Sequence, residues 1–134
     1  MGEVAGLLRR AGLRPTTQRR IIVTDLIDRT GTPTALELHA LLRDAGHRVG
    51  LSTVYRTLGA LAEAGVVHTF PRRNEVAFRR CADGPHQHLI CLSCGRIEDL
   101  APPQLDAAAG SLAYPAGFTV QGRRTDVYGV CAAC

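Results

Sequence analysis

Lysine is absent from this chain of 134 residues, and all 16 of its basic residues are arginine. Arginine suits bidentate contacts with phosphate and guanine. A codon bias toward arginine, alanine and glycine nevertheless accounts for most of the missing lysine. The absence by itself therefore identifies no partner.

Long apolar runs are also absent, because no stretch reaches the roughly 20 residues that a bilayer-spanning helix needs. Residues 1–6 lack the charged-then-apolar plan of a secretion signal. Repeats and low-complexity segments do not occur. We therefore expect a cytoplasmic protein with no membrane partner.

With 46% hydrophobic residues the chain should be globular, and its length allows one modest core or two small ones rather than a large enzyme domain.

Acidic residues are scarce in the first part of the chain. Residues 1–80 hold 13 arginines and 7 acidic residues, a net charge of +6, whereas residues 81–134 hold 3 arginines and 5 acidic residues, a net charge of −2. This uneven distribution predicts a nucleic-acid-binding surface in residues 1–80.

Four amphipathic helices are predicted before residue 65 from their apolar periodicity. Thr16 is the expected N-cap of the second helix, and Ser52 that of the fourth. Thr34 and Glu37 have the spacing of a capping box at the start of the third helix.

A basic hairpin is predicted to follow the fourth helix. The strand-like runs 66–70 and 75–80 are joined by a turn that carries Arg72 and Arg73. Helices followed by a basic-tipped hairpin are typical of a winged helix-turn-helix, with a generic helical bundle as the alternative. We therefore predict a winged-helix DNA-binding domain over residues 1–80.

The fourth helix separates an apolar stripe from a polar face that suits a major groove. The predicted polar face carries Thr53, Tyr55, Arg56 and Thr57. Tyr55 and Arg56 are expected to contact bases, with the two threonines supporting them. Phosphate contacts are expected from four other arginines, namely Arg19, Arg20, Arg72 and Arg73.

The second part of the chain reads as a small α/β domain, so the predicted fold class is α+β. Strands are predicted over residues 88–92, 96–100, 118–121 and 126–130, with a helix over residues 102–112. A segment this small exposes strand edges, which favours pairing with a second copy.

Four of the five cysteines form two Cys-x-x-Cys pairs, Cys91 with Cys94 and Cys131 with Cys134. Disulfides are rare in cytosolic proteins, whereas two such pairs are typical of one tetrahedral structural zinc site. A redox dithiol and an iron centre are the competing interpretations.

A second set of metal-binding residues surrounds the junction of the two parts. One cysteine and three histidines make a tetrahedral set suited to zinc and other borderline metals, and they are His68, Cys81, His86 and His88. A lone histidine is more often an ordinary residue, as we expect of His39 and His47. A competing interpretation is a thiol-redox regulator in which Cys81 is oxidised.

Enzyme activity is not expected. The sequence offers no set of nucleophile, base and orienting group, and a site saturated by four protein ligands leaves no position for a catalytic water. A small zinc hydrolase is therefore the least favoured of the alternatives.

Two motifs resemble those of the ferric uptake regulator family. Residues 51–58, LSTVYRTL, are similar to its recognition helix, and residues 86–95, HQHLICLSCG, to its histidine strand and first cysteine pair. The similarity extends from about residue 13 to residue 134. It implies a homodimeric, metal-activated repressor that binds double-stranded operator DNA and controls metal-homeostasis genes. It also implies a structural four-cysteine zinc in each subunit.

Within the family the chain is most similar to the zinc uptake regulators, which commonly have a cysteine at the hinge position matching Cys81. The resemblance implies a hinge over residues 81–86 and a dimerisation domain over residues 87–134. It also implies one regulatory zinc per subunit, bound by the set defined above, with Asp99 as a reserve ligand. A sister-branch sensor of nickel, iron or peroxide is the alternative.

The chain departs from the family pattern at Pro85 and Gln87. Many relatives have ligands of a further metal site at these positions, and no histidine follows His88 in this sequence. We therefore expect that the further site is absent.

Overall fold

Helices dominate the first part of the chain and strands the second. The computed structural model describes residues 2–29, 31–72, 74–80, 86–100, 103–119 and 124–134. The chain divides into two units, Met1–Cys81 and Ala82–Cys134. Among the described residues, none of the helices has both the length and the apolar character needed to cross a membrane.

The first unit is built on four helices packed around one apolar core. These helices are α1 (Gly2–Arg10), α2 (Thr17–Asp28), α3 (Ala35–Asp44) and α4 (Leu51–Glu63). Each contributes at least one side chain that is completely buried, for example Leu8, Ile22, Leu38 and Leu58. Apolar residues three and four apart thus form the predicted stripes and drive the packing.

Threonine side chains define the starts of α2 and α3, as predicted. The Thr16 hydroxyl accepts a hydrogen bond of 3.3 Å from the Arg19 amide. The Glu37 amide donates to the Thr34 hydroxyl and the Thr34 amide donates to the Glu37 carboxylate, each at 3.1 Å. The capping box is therefore confirmed.

Two predicted boundaries were wrong. Ser52 is not the N-cap of α4, because the helix begins at Leu51 with Gly50 as its cap and without a side-chain bond. Residues 66–67 are not a strand, because the chain there closes the end of α4. Gly65 adopts a positive φ of 73°, and the amide of residue 66 bonds back to the Leu61 carbonyl at 2.9 Å.

An antiparallel hairpin completes the first unit. It pairs β1 (His68–Arg72) with β2 (Glu75–Arg79). The segment before α3 joins this hairpin, since Thr34 bridges Ala77 and the Phe78 amide donates to the Pro33 carbonyl at 2.8 Å. Helices and hairpin thus form one winged helix-turn-helix unit.

The second unit contains a three-stranded sheet and one helix. Its elements are β3 (His86–Cys91), β4 (Ile97–Leu100), α5 (Pro103–Ala113) and β5 (Arg124–Gly129). The strand order is β4-β3-β5, with β4 antiparallel and β5 parallel to β3. The predicted α+β class, a winged-helix unit followed by an α/β unit, is confirmed.

The strand predicted over residues 118–121 was wrong at the two residues that the structure describes. Residues 118 and 119 are not in a strand, and residues 120 and 121 lie outside the described ones. Gly117 has a positive φ of 82°, and the Phe118 amide donates to the Ala113 carbonyl at 2.8 Å. This segment therefore closes the end of α5 instead of extending a sheet.

Candidate functional site

The four predicted thiol ligands meet in the second unit. Cys91 ends β3 and Cys94 lies in the turn after it, whereas Cys131 and Cys134 lie in the turn after β5. Parallel pairing of β3 and β5 brings the two turns to the same edge of the sheet. All four sulfur atoms lie within 4.8 Å of one another.

The sulfur spacing fits a tetrahedral metal. The Sγ–Sγ distances are 3.6 Å for Cys131–Cys134, 3.7 Å for Cys94–Cys131 and 3.9 Å for Cys91–Cys134. Four sulfurs at the Zn–S distance of about 2.3 Å would lie about 3.8 Å apart, whereas a disulfide needs about 2.05 Å. The cysteines are free thiols arranged as a four-ligand set.

Backbone amides favour thiolate at Cys91. The Cys131 and Cys94 amides donate to its sulfur at 3.3 and 3.4 Å, and these bonds lower the pKa of Cys91 to about 6. The thiols of Cys134 and Cys94 lower the pKa of Cys131. At Cys134 the Ser93 side chain acts to lower the pKa, but the Cys131 and Cys94 thiols together raise it to about 12. A cation is thus needed to hold four thiolates together.

His88, a predicted regulatory ligand, is fully buried in the middle of β3. Its Nδ1 lies 3.0 Å from a carboxylate oxygen of Asp126 on β5. His86 is the first residue of the same strand. Asp99, the reserve ligand, is the register partner of His88 on β4.

The remaining two predicted ligands lie elsewhere in the chain. His68 is the first residue of β1 in the first unit and is half-buried. Cys81 lies outside the described residues.

The predicted base-contacting side chains lie on an accessible part of α4. Tyr55 is 48% exposed, and Arg56 is exposed with its Nε donating to the Ser52 carbonyl at 3.3 Å. Thr53 is half-buried. These three side chains are at least partly accessible to solvent.

Thr57 corrects the prediction for this face. It is only 1% exposed and lies among the buried residues of α4, next to Leu58. The helix turns by 100° per residue, so Thr57 lies one turn after Thr53 but closer to the apolar stripe of Val54 and Leu61. We therefore do not retain it as a groove contact.

Arg19, beside the start of α2, borders the same surface. A cleft between α2 and α4 is lined by Arg19 and Arg56 together with Thr16 and Thr53. Arg19 donates to the Arg14 carbonyl at 3.0 Å, and the exposed Arg20 donates to the Pro15 carbonyl at 3.1 Å. Cationic groups and helix N-terminal amides favour phosphate here.

Arg72 has a structural partner that the sequence did not reveal. Its guanidinium forms an ion pair with Glu37 and donates to the Thr32 carbonyl at 3.4 Å. This contact ties the hairpin to the capping box of α3. Arg73, the other predicted residue of this turn, lies outside the described residues.

Asp126 contacts the predicted ligand His88, which its position in the sequence alone does not reveal. The sequence pattern predicts only a strand over residues 126–130. The available signal was its position five residues before Cys131, on the strand that leads into the second cysteine pair. Only the β3–β5 register places it beside His88.

Characterised proteins resemble the chain over nearly its full length. It is 38% identical over 125 residues to the zinc uptake regulation protein of Mycobacterium tuberculosis, covering 92% of this chain and 96% of that protein. It is 31% identical over 132 residues to the peroxide operon regulator of Bacillus subtilis, covering 98% of this chain and 91% of that protein.

Solved structures share the fold. The ferric uptake regulator of Vibrio cholerae aligns with a TM-score of 0.78 and 27% identity, covering 95% of this chain and 98% of that one. A zinc uptake regulator complexed with zinc and DNA aligns with a TM-score of 0.68 and 26% identity, covering 99% and 91%.

The profile of the ferric uptake regulator family matches residues 10–128. Members of this family are transcriptional regulators rather than enzymes. The match includes α2 to α4, the β1–β2 hairpin, β3 with the first cysteine pair, and most of β5. The chain therefore belongs to the ferric uptake regulator family and is a metal-responsive, DNA-binding transcriptional regulator.

Proposed function

We propose that this regulator is a zinc-responsive repressor. When loaded with zinc, it binds operator DNA in the cytoplasm as a homodimer and controls metal-homeostasis genes. The 38% identity to a zinc uptake regulation protein, against 31% to a peroxide operon regulator, carries the choice of zinc. The thiol at Cys81 supports it, because soft thiolate ligands favour zinc over ferrous iron.

We assign the regulatory zinc to one thiolate and three imidazoles, which belong to His68, Cys81, His86 and His88. Asp99 is the reserve ligand. His68 belongs to the first unit, whereas His86 and His88 belong to the second. A zinc bound to all of them would link the units and select one arrangement for DNA binding.

This selection has an energetic requirement. To move a two-state equilibrium from 1:99 to 99:1, zinc must favour the DNA-binding state by roughly 5.5 kcal/mol. Removing one of four ligands is expected to cancel most of that preference.

The four-cysteine site is proposed to hold a structural zinc. Four thiolates saturate a tetrahedral ion and leave no open position for a signal molecule or a catalytic water. One zinc there and one at the regulatory site give two per subunit.

The second unit is proposed to form the dimer. Several of its large apolar side chains are exposed in the single chain, at 75% for Leu112, 86% for Tyr114, 71% for Phe118 and 68% for Val130. Burial against a second copy would remove this area from water. Sedimentation equilibrium tests this step, and a monomer at micromolar concentration would contradict it.

DNA recognition is proposed to use α4 in the major groove. Tyr55 and Arg56 are assigned to bases with Thr53 supporting them. Two copies would place their helices on adjacent turns of one duplex. Phosphate contacts are assigned to four arginines, namely Arg19, Arg20, Arg72 and Arg73.

The deciding experiment measures operator binding at buffered free zinc, with nickel and ferrous iron in parallel. Duplexes are first selected from random sequence. Zinc alone is expected to switch binding on. Cys81→Ser should lose this response while keeping one zinc per chain, whereas His47→Ala, which changes an exposed histidine outside the proposed site, should behave as the parent.

Other outcomes separate the alternatives. A response to nickel or ferrous iron would identify a sister-branch sensor, and loss of binding on peroxide treatment would favour a redox regulator. Binding that ignores every metal would refute the regulatory assignment.

A further inference from the structure

We propose that Asp126 is the positioning residue that prepares His88 to bind the regulatory metal. The Asp126 carboxylate oxygen lies 3.0 Å from His88 Nδ1, within hydrogen-bond distance. The His88 side chain is 0% exposed and that of Asp126 is 18% exposed. Little water therefore competes for this contact.

The contact determines which nitrogen of His88 can bind a metal. A neutral imidazole carries its proton on one nitrogen and its lone pair on the other. A carboxylate at Nδ1 holds the proton there, and the lone pair then lies on Nε2. Carboxylate–histidine–metal arrangements of this kind fix the ring orientation and make the imidazole a better donor.

The sheet register makes the contact a built-in feature of the fold. His88 and Asp126 are direct register partners in the parallel β3–β5 pair, so their side chains project from the same face. The pair continues to Cys91 opposite Gly129, and the Leu92 amide donates to the Gly129 carbonyl at 2.8 Å. Both strands thus run directly into the four-cysteine site.

Because of this arrangement, the four-cysteine site should also influence the regulatory site. A metal bound there joins the end of β3 to the turn after β5, at Cys91 and Cys131. It therefore holds the register in which Asp126 faces His88. Part of the affinity of the regulatory site should depend on a contact made outside its ligand set.

The inference rests on the proposed assignment of His88 as a regulatory ligand, so the test includes His88 itself. Long-range ¹H–¹⁵N correlation spectra of the protein with only its structural zinc would report the tautomer of each histidine. His88 is expected to carry its proton on Nδ1 in the parent protein. In Asp126→Ala it should lose this preference.

Zinc affinity of the regulatory site is then measured by competition with a chelator. Asp126→Ala should bind zinc 10–100-fold more weakly than the parent. Asp126→Asn, which keeps an acceptor oxygen and the side-chain size but loses the charge, should fall between them. Glu98→Gln is the matched control, because it makes the same acid-to-amide change at an exposed side chain of the adjacent strand, and it should match the parent.

The outcomes are distinct. Unchanged affinity in Asp126→Ala, with affinity lost in His88→Ala, would overturn the inference alone. If Asp126→Ala loses regulatory zinc to the same extent as His88→Ala, Asp126 is itself a ligand. That result would also overturn the inference. Unchanged affinity in His88→Ala would instead refute the proposed ligand set. If Asp126→Ala does not fold, the inference is still tested by the tautomer of His88 in the parent protein and by the zinc affinity of Asp126→Asn.

Discussion

The two units of this regulator differ in what stabilises them. The continuous cluster of buried apolar side chains lies entirely in the first unit, between Val4 and Phe78. Among the side chains of the second unit whose burial the structure describes, four are buried, and two of these are polar: Gln87, His88, Ile90 and Cys91. The second unit instead brings four thiols together at one edge of its sheet.

This difference indicates a division of labour. The first unit has a hydrophobic core and helix caps that do not depend on any ligand. Among the side chains of the second unit whose burial the structure describes, the single chain buries only two apolar ones and exposes several large ones. Small domains of that kind depend on a metal or on a partner for stability. We therefore expect metal to stabilise the second unit and to have little effect on the first.

Loss of the structural metal should produce the largest effect. Cys131→Ser removes one of four thiolates, and structural zinc contributes on the order of 10 kcal/mol to the folding of small zinc domains. We expect the variant to retain no zinc after dialysis against a weak chelator and to lose the β-sheet signals of the second unit. Metal analysis and NMR spectra of the whole chain check this.

The same substitution elsewhere is the control. Cys81→Ser should keep one zinc per chain and the folded second unit. A Cys131→Ser protein that retains the sheet signals would show that the second unit is stable without its metal, and the contrast between the units would fail.

A substitution in the core of the first unit should destabilise that unit and leave the bound metal of the second unit in place. Leu38 is completely buried in α3, so Leu38→Ala should lower the free energy of unfolding of the first unit by about 2–5 kcal/mol. Zinc retention at the four-cysteine site should not change. Denaturant unfolding followed by helical circular dichroism measures the loss.

Leu36→Ala is its matched control, because the same change on the same helix affects a side chain that is 49% exposed. Its effect should stay within about 0.5 kcal/mol. Loss of bound zinc in Leu38→Ala would mean that the two units do not respond independently.

Local chemistry explains which parts of the fold could be predicted from sequence. Thr34 and Glu37 define a helix start through bonds only three residues apart, and this capping box is present. The cysteine pairs were equally informative, because a metal needs that residue type at that spacing. Predictions failed where a glycine redirected the backbone, as at Gly65 and Gly117.

Contacts across the sheet and between helix and hairpin could not be read from the chain. The Asp126–His88 contact depends on a parallel register between strands 38 residues apart. The ion pair of Arg72 with Glu37 likewise depends on how the hairpin folds against α3. Thr57 shows the same limit within one helix, since periodicity placed it on the polar face but packing buries it.

The smallest expected effect is the pH dependence of zinc binding at the four-cysteine site of the second unit. Zinc binds four thiolates, so it releases one proton for every cysteine that is still a thiol. Backbone amides of Cys131 and Cys94 lower the pKa of Cys91 to about 6, whereas neighbouring thiols raise the pKa of Cys134 to about 12. Cys134 should therefore release a proton throughout the neutral range, and Cys91 mainly below pH 6.

The number of protons released should fall by about one between pH 5 and pH 7. Each released proton raises zinc affinity tenfold per pH unit, so affinity should climb less steeply above pH 6 than below it. Calorimetry in two buffers of different ionisation enthalpy counts the protons, and Cys81→Ser confines the signal to the four-cysteine site. Equal release at pH 5 and pH 7 would contradict the lowered pKa of Cys91.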